Sequence, residues 1–121
     1  MKILIVDDDA TLVNGMKFLL DFRNIPSATA TSVSNAERLL DEEEISLICT
    51  DWNLGDGTGL DVLQYATNKN IPVVFLTGHD EDSYIDKAKS MGAAKYYIKG
   101  RIRFDDLIDG FITILQENGK T

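Results

Sequence analysis

Several residue types are scarce in this chain of 121 residues, and each scarcity excludes a class of protein. The single cysteine, Cys49, cannot form an internal disulfide, and its position within an apolar run favours an inert buried thiol over a redox role. Only 12 lysines and arginines oppose 20 aspartates and glutamates, giving a net charge of −8. Because no basic stripe is present to neutralise phosphates, we expect no direct binding to nucleic acid.

Long apolar runs are also lacking, which argues against a membrane protein. The apolar stretch at residues 1–6 is too short for a secretory signal and is not followed by a cleavage site. We therefore expect no membrane association and a cytoplasmic location. The chain is long enough for one hydrophobic core and too short for two, so residues 1–121 are predicted to form a single domain.

What the sequence does contain is a regular alternation of two hydrophobic patterns. The first consists of short continuous apolar runs, as expected for strands that are covered on both faces of a sheet. Four such runs occupy residues 3–6, 47–50, 73–76 and 96–98, and a weaker polar run at residues 27–31 suits an edge strand. These five segments predict a five-stranded sheet.

The second pattern has helical spacing and lies between and after the strands. It is clearest near the end of the chain, where one face carries Phe104, Leu107, Ile108, Phe111 and Leu115. Ser34 and Glu37 have the spacing of a capping box at the start of the second helix, and Gly92 suits the end of the fourth. The order βα repeated five times predicts a doubly wound α/β fold with helices on both faces of a parallel sheet, in the flavodoxin-like strand order 2-1-3-4-5.

In such a fold the reactive crevice lies beyond the carboxyl ends of the strands. The residues at those ends are Asp7, Asp8 and Asp9 for strand 1, Asp51 for strand 3, Thr77 and Gly78 for strand 4, and Lys99 for strand 5. Neighbouring strands 1 and 3 would bring at least three carboxylates into one small pocket, which is costly without a cation. A hard divalent ion such as Mg2+ meets this need, because it prefers carboxylate, water and phosphate oxygens.

Asp51 is well located to act as a nucleophile in this pocket. An ionised carboxylate can attack phosphorus without a separate general base, and a metal ion would neutralise the charges of both groups. We expect the Thr77 hydroxyl, the Gly78 amide and the Lys99 ammonium to bind the phosphoryl oxygens, since positioning and charge do most of this chemistry.

The same residues allow a phosphatase as an alternative. Residues 7–11 read Asp-Asp-Asp-Ala-Thr and fit the D-x-D-x-T signature of haloacid-dehalogenase-type phosphatases, with Asp7 as nucleophile and Asp9 as acid–base. Thr77 and Lys99 would then bind phosphate. Against this alternative, the chain has no room for a cap domain, and Asp51 would have no role.

Several segments together resemble the receiver domain of the response regulator family, the CheY-like superfamily, over essentially the whole chain. They are Ile-Leu-Ile-Val-Asp-Asp at residues 3–8, Asp-Trp-Asn-Leu at 51–54 with Gly59, Pro-Val-Val-Phe-Leu-Thr-Gly at 72–78, Met-Gly-Ala at 91–93 and Tyr-Tyr-Ile-Lys at 96–99. Each fragment alone is weak. Their common order and their positions at strand ends make the resemblance specific.

The resemblance implies a phosphoacceptor domain of a two-component phosphorelay. Its donor would be a phosphohistidine on a sensor histidine kinase or a histidine phosphotransfer domain, and its downstream effector is not encoded in the sequence. Such a domain is not an enzyme in the usual sense, because it catalyses only its own phosphorylation and dephosphorylation. It would be a monomer or a phosphorylation-linked dimer, with the fourth helix, fifth strand and fifth helix as the output face.

The resemblance also implies a set of metal ligands. Asp8 would bind Mg2+ (or Mn2+) directly, whereas Asp7 would act largely through water. Asp51 would be both ligand and phosphoacceptor. The main-chain carbonyl of Asn53 would complete the ligands from the protein.

Four residues would control switching and phosphoryl lifetime by the same resemblance. The Thr77 hydroxyl would move to the phosphoryl group and the Tyr96 ring would follow inward. Asn53 and His79 would occupy the two variable positions beside the pocket that tune loss of the phosphoryl group.

Two departures from the family pattern bear on these expectations. Gly100 stands where proline commonly follows the lysine, so we predict a trans or mobile Lys99–Gly100 bond, because only proline makes the cis form accessible. Residues 55–59 contain three glycines and no proline, which predicts a flexible loop. These changes also keep a further alternative open, a receiver-shaped interaction module that works without phosphorylation.

Overall fold

Strands and helices alternate throughout the computed structural model, which describes residues 1–119. The strands are β1 (Ile3–Val6), β2 (Ser27–Ala30), β3 (Leu47–Thr50), β4 (Val73–Thr77) and β5 (Lys95–Ile98). The helices are α1 (Ala10–Phe22), α2 (Val33–Glu42), α3 (Gly59–Thr67), α4 (Asp82–Ser90) and α5 (Phe104–Glu117). Every predicted strand and helix is present.

The five strands form one parallel sheet in the order β2-β1-β3-β4-β5, which confirms the predicted flavodoxin-like topology. The weak strand β2 lies at an edge, as expected. Every residue of β1, β3 and β4 is buried because hydrophobic clusters cover both faces of the sheet. Helices α2, α3 and α4 contribute to one cluster, and α1 and α5 contribute to the other.

The helical spacing of Leu12, Met16 and Leu19 predicts that they form the buried stripe of α1, and the helix is rotated slightly from that orientation. Its buried residues are Val13, Met16 and Leu20, whereas Leu12 and Leu19 of the predicted stripe are only partly buried at its edge. Two adjacent apolar faces are available on this helix, and packing against α5 selects between them. The stripe predicted for α5 is confirmed, with Phe104 partly buried and its other four members buried.

The start of α2 differs from the prediction. Its N-cap is Ser32, whose hydroxyl accepts a hydrogen bond from the Asn35 amide at 3.0 Å, and Ser34 lies within the first turn. The physical reason is that Val33 packs into the core as part of the helix, so the helix begins before Ser34. The prediction for Gly92 is confirmed, since it follows the end of α4 with a positive φ of 105°.

The sequence of residues 116–121 predicts a helix end, and α5 ends there at Glu117; Lys120 and Thr121 lie outside the described residues. Among the helices of residues 1–119, none combines the length and the apolar character that a bilayer crossing requires.

Candidate functional site

The parallel register of β1 and β3 brings three carboxylates together. Val6 is paired with Thr50, so the next residues, Asp7 and Asp51, leave neighbouring strands side by side. One carboxylate oxygen from each of Asp7, Asp8 and Asp51 lies within 4.8 Å of the others. These three hard oxygen donors could hold a metal ion, and their convergence was predicted from the strand ends alone.

The three carboxylates differ in their exposure to solvent. Asp7 is only 2% exposed, Asp51 is half-buried and Asp8 is exposed. Burial raises the pKa of Asp7, although hydrogen bonds from Lys99 and from the Asp9 amide act in the opposite direction. A carboxylate buried in this way is stabilised by any nearby positive charge.

Lys99 supplies such a charge from the far side of β4. Its Nζ atom lies 2.9 Å from Oδ2 of Asp7 and 3.0 Å from Oδ2 of Asp51. Burial by itself lowers the pKa of Lys99, but the hydrogen bonds to both aspartates outweigh it and raise the pKa above its usual value. Lys99 is therefore a charged bridge between the two strand ends.

The backbone after Lys99 is consistent with the predicted trans linkage. The described residues contain no cis peptide bond, and the Lys99 amide donates to the Thr77 carbonyl at 2.9 Å, which extends the pairing of β4 with β5. Gly100 has a φ of +83°, a region that glycine enters without a steric cost. Glycine at this position thus gives a sharp turn after the lysine.

Asp51 is held by its own neighbours. Its Oδ1 atom accepts a hydrogen bond from the Trp52 amide at 2.7 Å, and Oδ2 faces Lys99. The Thr50 hydroxyl donates to the Asp51 main-chain carbonyl at 2.9 Å. The carboxylate is consequently fixed in orientation, with Oδ2 as the oxygen closer to a charged partner.

Gly59 lies directly beneath the Asp51 main chain. A Cβ atom there would collide with the Asp51 carbonyl oxygen and would approach the Phe75 ring to 2.7 Å. The Gly59 amide also donates to the Trp52 carbonyl at 2.7 Å. The glycine at this spacing is therefore required by close packing beneath Asp51.

The side chains of Asn53 and His79 contact each other. The Asn53 Nδ2 atom lies 3.0 Å from His79 Nε2, and the imidazole is stacked on Tyr84 with ring centroids 4.2 Å apart. Tyr84 also packs edge-on against Trp52 at 4.7 Å. A lone polar histidine in a loop is expected to be solvent-exposed, but the His79 side chain is only 28% exposed because of these contacts.

Thr77 and Tyr96 both bond to the backbone of His79. The buried Thr77 hydroxyl accepts from the His79 amide at 3.4 Å, and the Tyr96 hydroxyl donates to the His79 carbonyl at 2.8 Å. The Tyr96 ring is partly buried and stacks on Phe75, and burial, reinforced by the charge of Glu81, raises the pKa of Tyr96 to about 12. Gly78, between Thr77 and His79, is exposed.

Asp9 has a structural role. Its carboxylate accepts from the amides of Thr11 and Leu12 at 3.0 and 3.3 Å, which caps α1. An acid–base role in a phosphatase would compete with these bonds. Its hydrogen bonds thus assign Asp9 to the cap of α1.

The loop between β3 and α3, whose three glycines predict flexibility, is tied to a neighbouring helix by one of its side chains. The Asp56 carboxylate accepts from the Val33 amide at 2.9 Å and from the Ser34 amide at 3.0 Å, which ties the loop to the first turn of α2. No signal in the sequence identified Asp56, because its partners lie 22 and 23 residues earlier in the chain.

The chain is similar to known proteins over most of its length. A family profile described as "Response regulator receiver domain" matches residues 3–110. The chain is 34% identical over 101 residues to the alginate biosynthesis transcriptional regulatory protein AlgB of Pseudomonas putida. This alignment covers 81% of the present chain and 22% of the alginate regulator. It is 33% identical over 104 residues to the chemotaxis protein CheY of Pseudomonas aeruginosa, covering 82% of this chain and 84% of that protein.

Solved structures have the same fold. A two-component response regulator from Clostridium difficile has a TM-score of 0.90 and 26% identity, covering 96% of each chain. A CheY-like receiver domain protein from Methanospirillum hungatei also has a TM-score of 0.90, with 24% identity over 98% of this chain and 96% of that one. The chain thus spans about a fifth of the alginate regulator, 84% of the chemotaxis protein and 96% of each of these solved chains.

Proposed function

The chain belongs to the response regulator receiver domain family and is a receiver domain of the two-component type, and we propose that its phosphoacceptor is Asp51. The observation that carries this assignment is that both Asp51 and Asp7 contact Lys99, but the Asp51 side chain is the more exposed of the two. Asp7, the alternative nucleophile, is buried and has a raised pKa, so it is less available for attack.

We propose Mg2+ as the physiological metal, with Mn2+ as a substitute. Asp8 and Asp51 would bind it directly, Asp7 would act largely through water, and the Asn53 main-chain carbonyl would be the remaining protein ligand. The donor set fits this ion, because three carboxylates converge and Mg2+ prefers hard oxygen ligands. When bound, the ion neutralises charge on the phosphoryl group and on the attacking carboxylate.

In the proposed reaction, an Asp51 carboxylate oxygen forms a bond to phosphorus as the phosphorus–nitrogen bond of a phosphohistidine donor breaks. The donor imidazole leaves with the electron pair of that bond and takes up a proton. Lys99 exchanges its contact with Asp51 for one to a phosphoryl oxygen. The Thr77 hydroxyl and the Gly78 amide bind the other phosphoryl oxygens, so the chain contributes mainly position and charge.

The switch would start from the two bonds to His79. When the Thr77 hydroxyl turns to the phosphoryl group, the His79 amide loses its acceptor, and the Tyr96 ring can leave the His79 carbonyl and move inward. The output face would be formed by α4, β5 and α5. Asn53 and His79, which contact each other, would tune loss of the phosphoryl group by limiting the approach of water.

We propose the partners of the chain from its family. The donor would be a sensor histidine kinase or a histidine phosphotransfer domain, and the chain would act on an effector through its output face. Residues 1–121 would form a single receiver domain, as a monomer or a phosphorylation-linked dimer. A cytoplasmic location would suit a domain that receives phosphate from a kinase.

The decisive test is intact mass after incubation with Mg2+ and acetyl phosphate. Wild type, Asp51→Asn and Asp7→Asn would be compared, and any adduct would be mapped by peptide sequencing. We expect one phosphoryl group on wild type, located on Asp51 and absent from Asp51→Asn. An adduct on Asp7 would favour the phosphatase, whereas a folded wild type with no adduct and no response to Mg2+ would favour the interaction module.

A further inference from the structure

Within residues 1–119, the side-chain hydrogen bonds that join the β3–α3 loop to α2 come from Asp56. Both of its carboxylate oxygens are engaged, Oδ1 with the Val33 amide at 2.9 Å and Oδ2 with the Ser34 amide at 3.0 Å. These amides belong to the first turn of α2, where backbone N–H groups have no partner within the helix. Asp56 therefore supplies a cap from a distant part of the chain.

The first turn of α2 is shared between two caps. Ser32, the local N-cap, accepts a hydrogen bond from the Asn35 amide. The amides of Val33 and Ser34 depend on Asp56, and their hydrogen bonds lower the pKa of the Asp56 carboxyl even though the residue is exposed. The two caps serve one helix, but only Asp56 also fixes the loop.

The loop also has hydrogen bonds of its own. The Asp56 amide donates to the Leu54 carbonyl at 2.8 Å, and the Leu54 amide donates to the Gly57 carbonyl at 3.1 Å. Asn53 and Thr58 form an antiparallel bridge that closes this turn. Because these bonds join Asn53 to Asp56 through one compact turn, a displacement at Asp56 would be transmitted to the Asn53 backbone.

We propose that Asp56 is a positioning residue for the metal site, which holds the Asn53 main-chain carbonyl at the carboxylate cluster by anchoring its loop to α2. The inference rests on the proposed function, since it requires Mg2+ at Asp7, Asp8 and Asp51. The inference also predicts that metal binding strengthens the attachment of the loop to α2. By thermodynamic reciprocity, a loop that favours metal binding when anchored must be anchored more firmly when the metal is bound.

The test compares Asp56→Ala, Asp56→Asn and Ser32→Ala with wild type by NMR. Ser32→Ala is the matched control, because it removes a capping bond from the same helix and leaves the loop attached. In each protein, hydrogen exchange of the Val33 and Ser34 amides would be measured with and without Mg2+. The dissociation constant for Mg2+ would come from chemical-shift titration, and thermal unfolding would show that each variant is folded.

We expect Asp56→Ala to weaken Mg2+ binding by roughly tenfold, the lower end of the loss seen when the support of a metal ligand is removed. Ser32→Ala should change it by less than about twofold, since its bond does not reach the loop. Asp56→Asn should fall between wild type and Asp56→Ala, because its side-chain oxygen can still accept from one amide. Mg2+ should slow exchange at Val33 and Ser34 in wild type and not in Asp56→Ala.

Three results would overturn the inference in distinguishable ways. Equal Mg2+ affinity in wild type and Asp56→Ala would remove the positioning role while leaving the metal site intact. Equal losses in Ser32→Ala and Asp56→Ala would reduce Asp56 to a helix cap. A wild type that does not bind Mg2+ would reject the proposed metal site and, with it, this role for Asp56.

Discussion

Lys99 and Asp51 form an ion pair across the sheet, with Nζ 3.0 Å from the Oδ2 atom of the carboxylate. The same ammonium group lies 2.9 Å from Asp7, so one lysine compensates two strand-end carboxylates. A phosphoryl group or a metal ion entering the pocket must compete with these contacts. Binding of either group would therefore change how much Lys99 stabilises the two carboxylates.

Replacing Lys99 by methionine should destabilise the metal-free protein and increase its response to Mg2+. We expect a loss of about 2 kcal/mol in the free energy of unfolding, less than for a fully buried pair because the Lys99 side chain is partly exposed. Mg2+ should recover more stability in this variant than in wild type, since no ammonium group repels it. Thermal unfolding with EDTA or with Mg2+ measures both effects.

Lys89→Met provides the control for that experiment, because Lys89 is exposed on α4 and has no ion pair among the described residues. It should unfold like wild type in both conditions. An unchanged unfolding temperature for Lys99→Met in EDTA would show that the lysine does not compensate the aspartates.

Alanine at Gly59 should be destabilising and should impair phosphorylation. The added Cβ atom would collide with the Asp51 carbonyl oxygen and crowd the Phe75 ring, and overpacking of this kind costs about 1–3 kcal/mol. Gly15→Ala is a control for which we expect a gain in stability instead of a loss. Gly15 lies within α1, and the position that a Cβ atom would take there is open space, so alanine should stabilise the protein by about 0.5–1 kcal/mol.

Denaturant unfolding measures the stability of these two variants, and acetyl phosphate labelling measures their phosphorylation. Gly15→Ala should be phosphorylated like wild type. If Gly59→Ala were as stable and as reactive as wild type, close packing under Asp51 would not explain the glycine.

The contribution of Asp56 to stability should depend on pH. Its hydrogen bonds to Val33 and Ser34 lower its pKa below the ordinary value of 3.8, so folding favours the charged form. This stabilisation is complete above the pKa of the unfolded chain and is lost as the pH falls through the lower pKa of the folded protein. Wild type should therefore be more stable than Asp56→Asn near neutral pH, and the difference should shrink in acid.

Thermal unfolding of wild type and Asp56→Asn, measured side by side across the acid range, tests whether the difference in stability shrinks as the pH falls. The comparison cancels the titration of the other carboxyl groups, which both proteins share. A difference that grew as the pH fell would contradict the capping role of the Asp56 carboxylate.

Mg2+ should change the fluorescence of Trp52, the only tryptophan in the chain. Its amide donates to Asp51 Oδ1, and its ring is nearly buried between Phe75 and Tyr84, so a shift at Asp51 would be transmitted to the indole. The change should saturate with Mg2+ concentration. Asp8→Asn should weaken the apparent affinity by about tenfold or more, because it neutralises one ligand of the proposed set.

An exposed aspartate on α4, Asp86, provides the comparison for that titration, and Asp86→Asn should retain the wild-type affinity. Equal affinities for the Asp8→Asn and wild-type proteins would argue against the proposed ligands. A Trp52 signal that ignores Mg2+ would argue against metal binding beside Asp51.

Tyr96→Phe should loosen the turn that carries His79. The variant loses the hydrogen bond to the His79 carbonyl, which is worth about 1 kcal/mol, and its ring is freed to move inward. Tyr97→Phe is the control, since no hydrogen bond from the Tyr97 hydroxyl is present in the described part of the chain. NMR exchange of the His79 amide should increase in Tyr96→Phe only; equal exchange in both variants would contradict this account.

The sequence by itself determined the fold and the convergence of the strand-end carboxylates. Hydrophobic runs and helical stripes give the order of elements, and parallel strands must present their carboxyl ends at one edge of the sheet. That rule alone was enough to group Asp7, Asp8 and Asp51 with Lys99. It works because strand ends can be read locally and the topology supplies the rest.

Only the tertiary structure decided how these residues are held. Asp56 bonds to α2 across 22 and 23 residues of sequence, and the clash that requires Gly59 involves Asp51, just after β3, and Phe75 of β4. The choice of Ser32 over Ser34 as N-cap depends on burial of Val33 against the sheet. Each of these contacts depends on distances between groups that are remote in sequence, and neither composition nor periodicity carries that information.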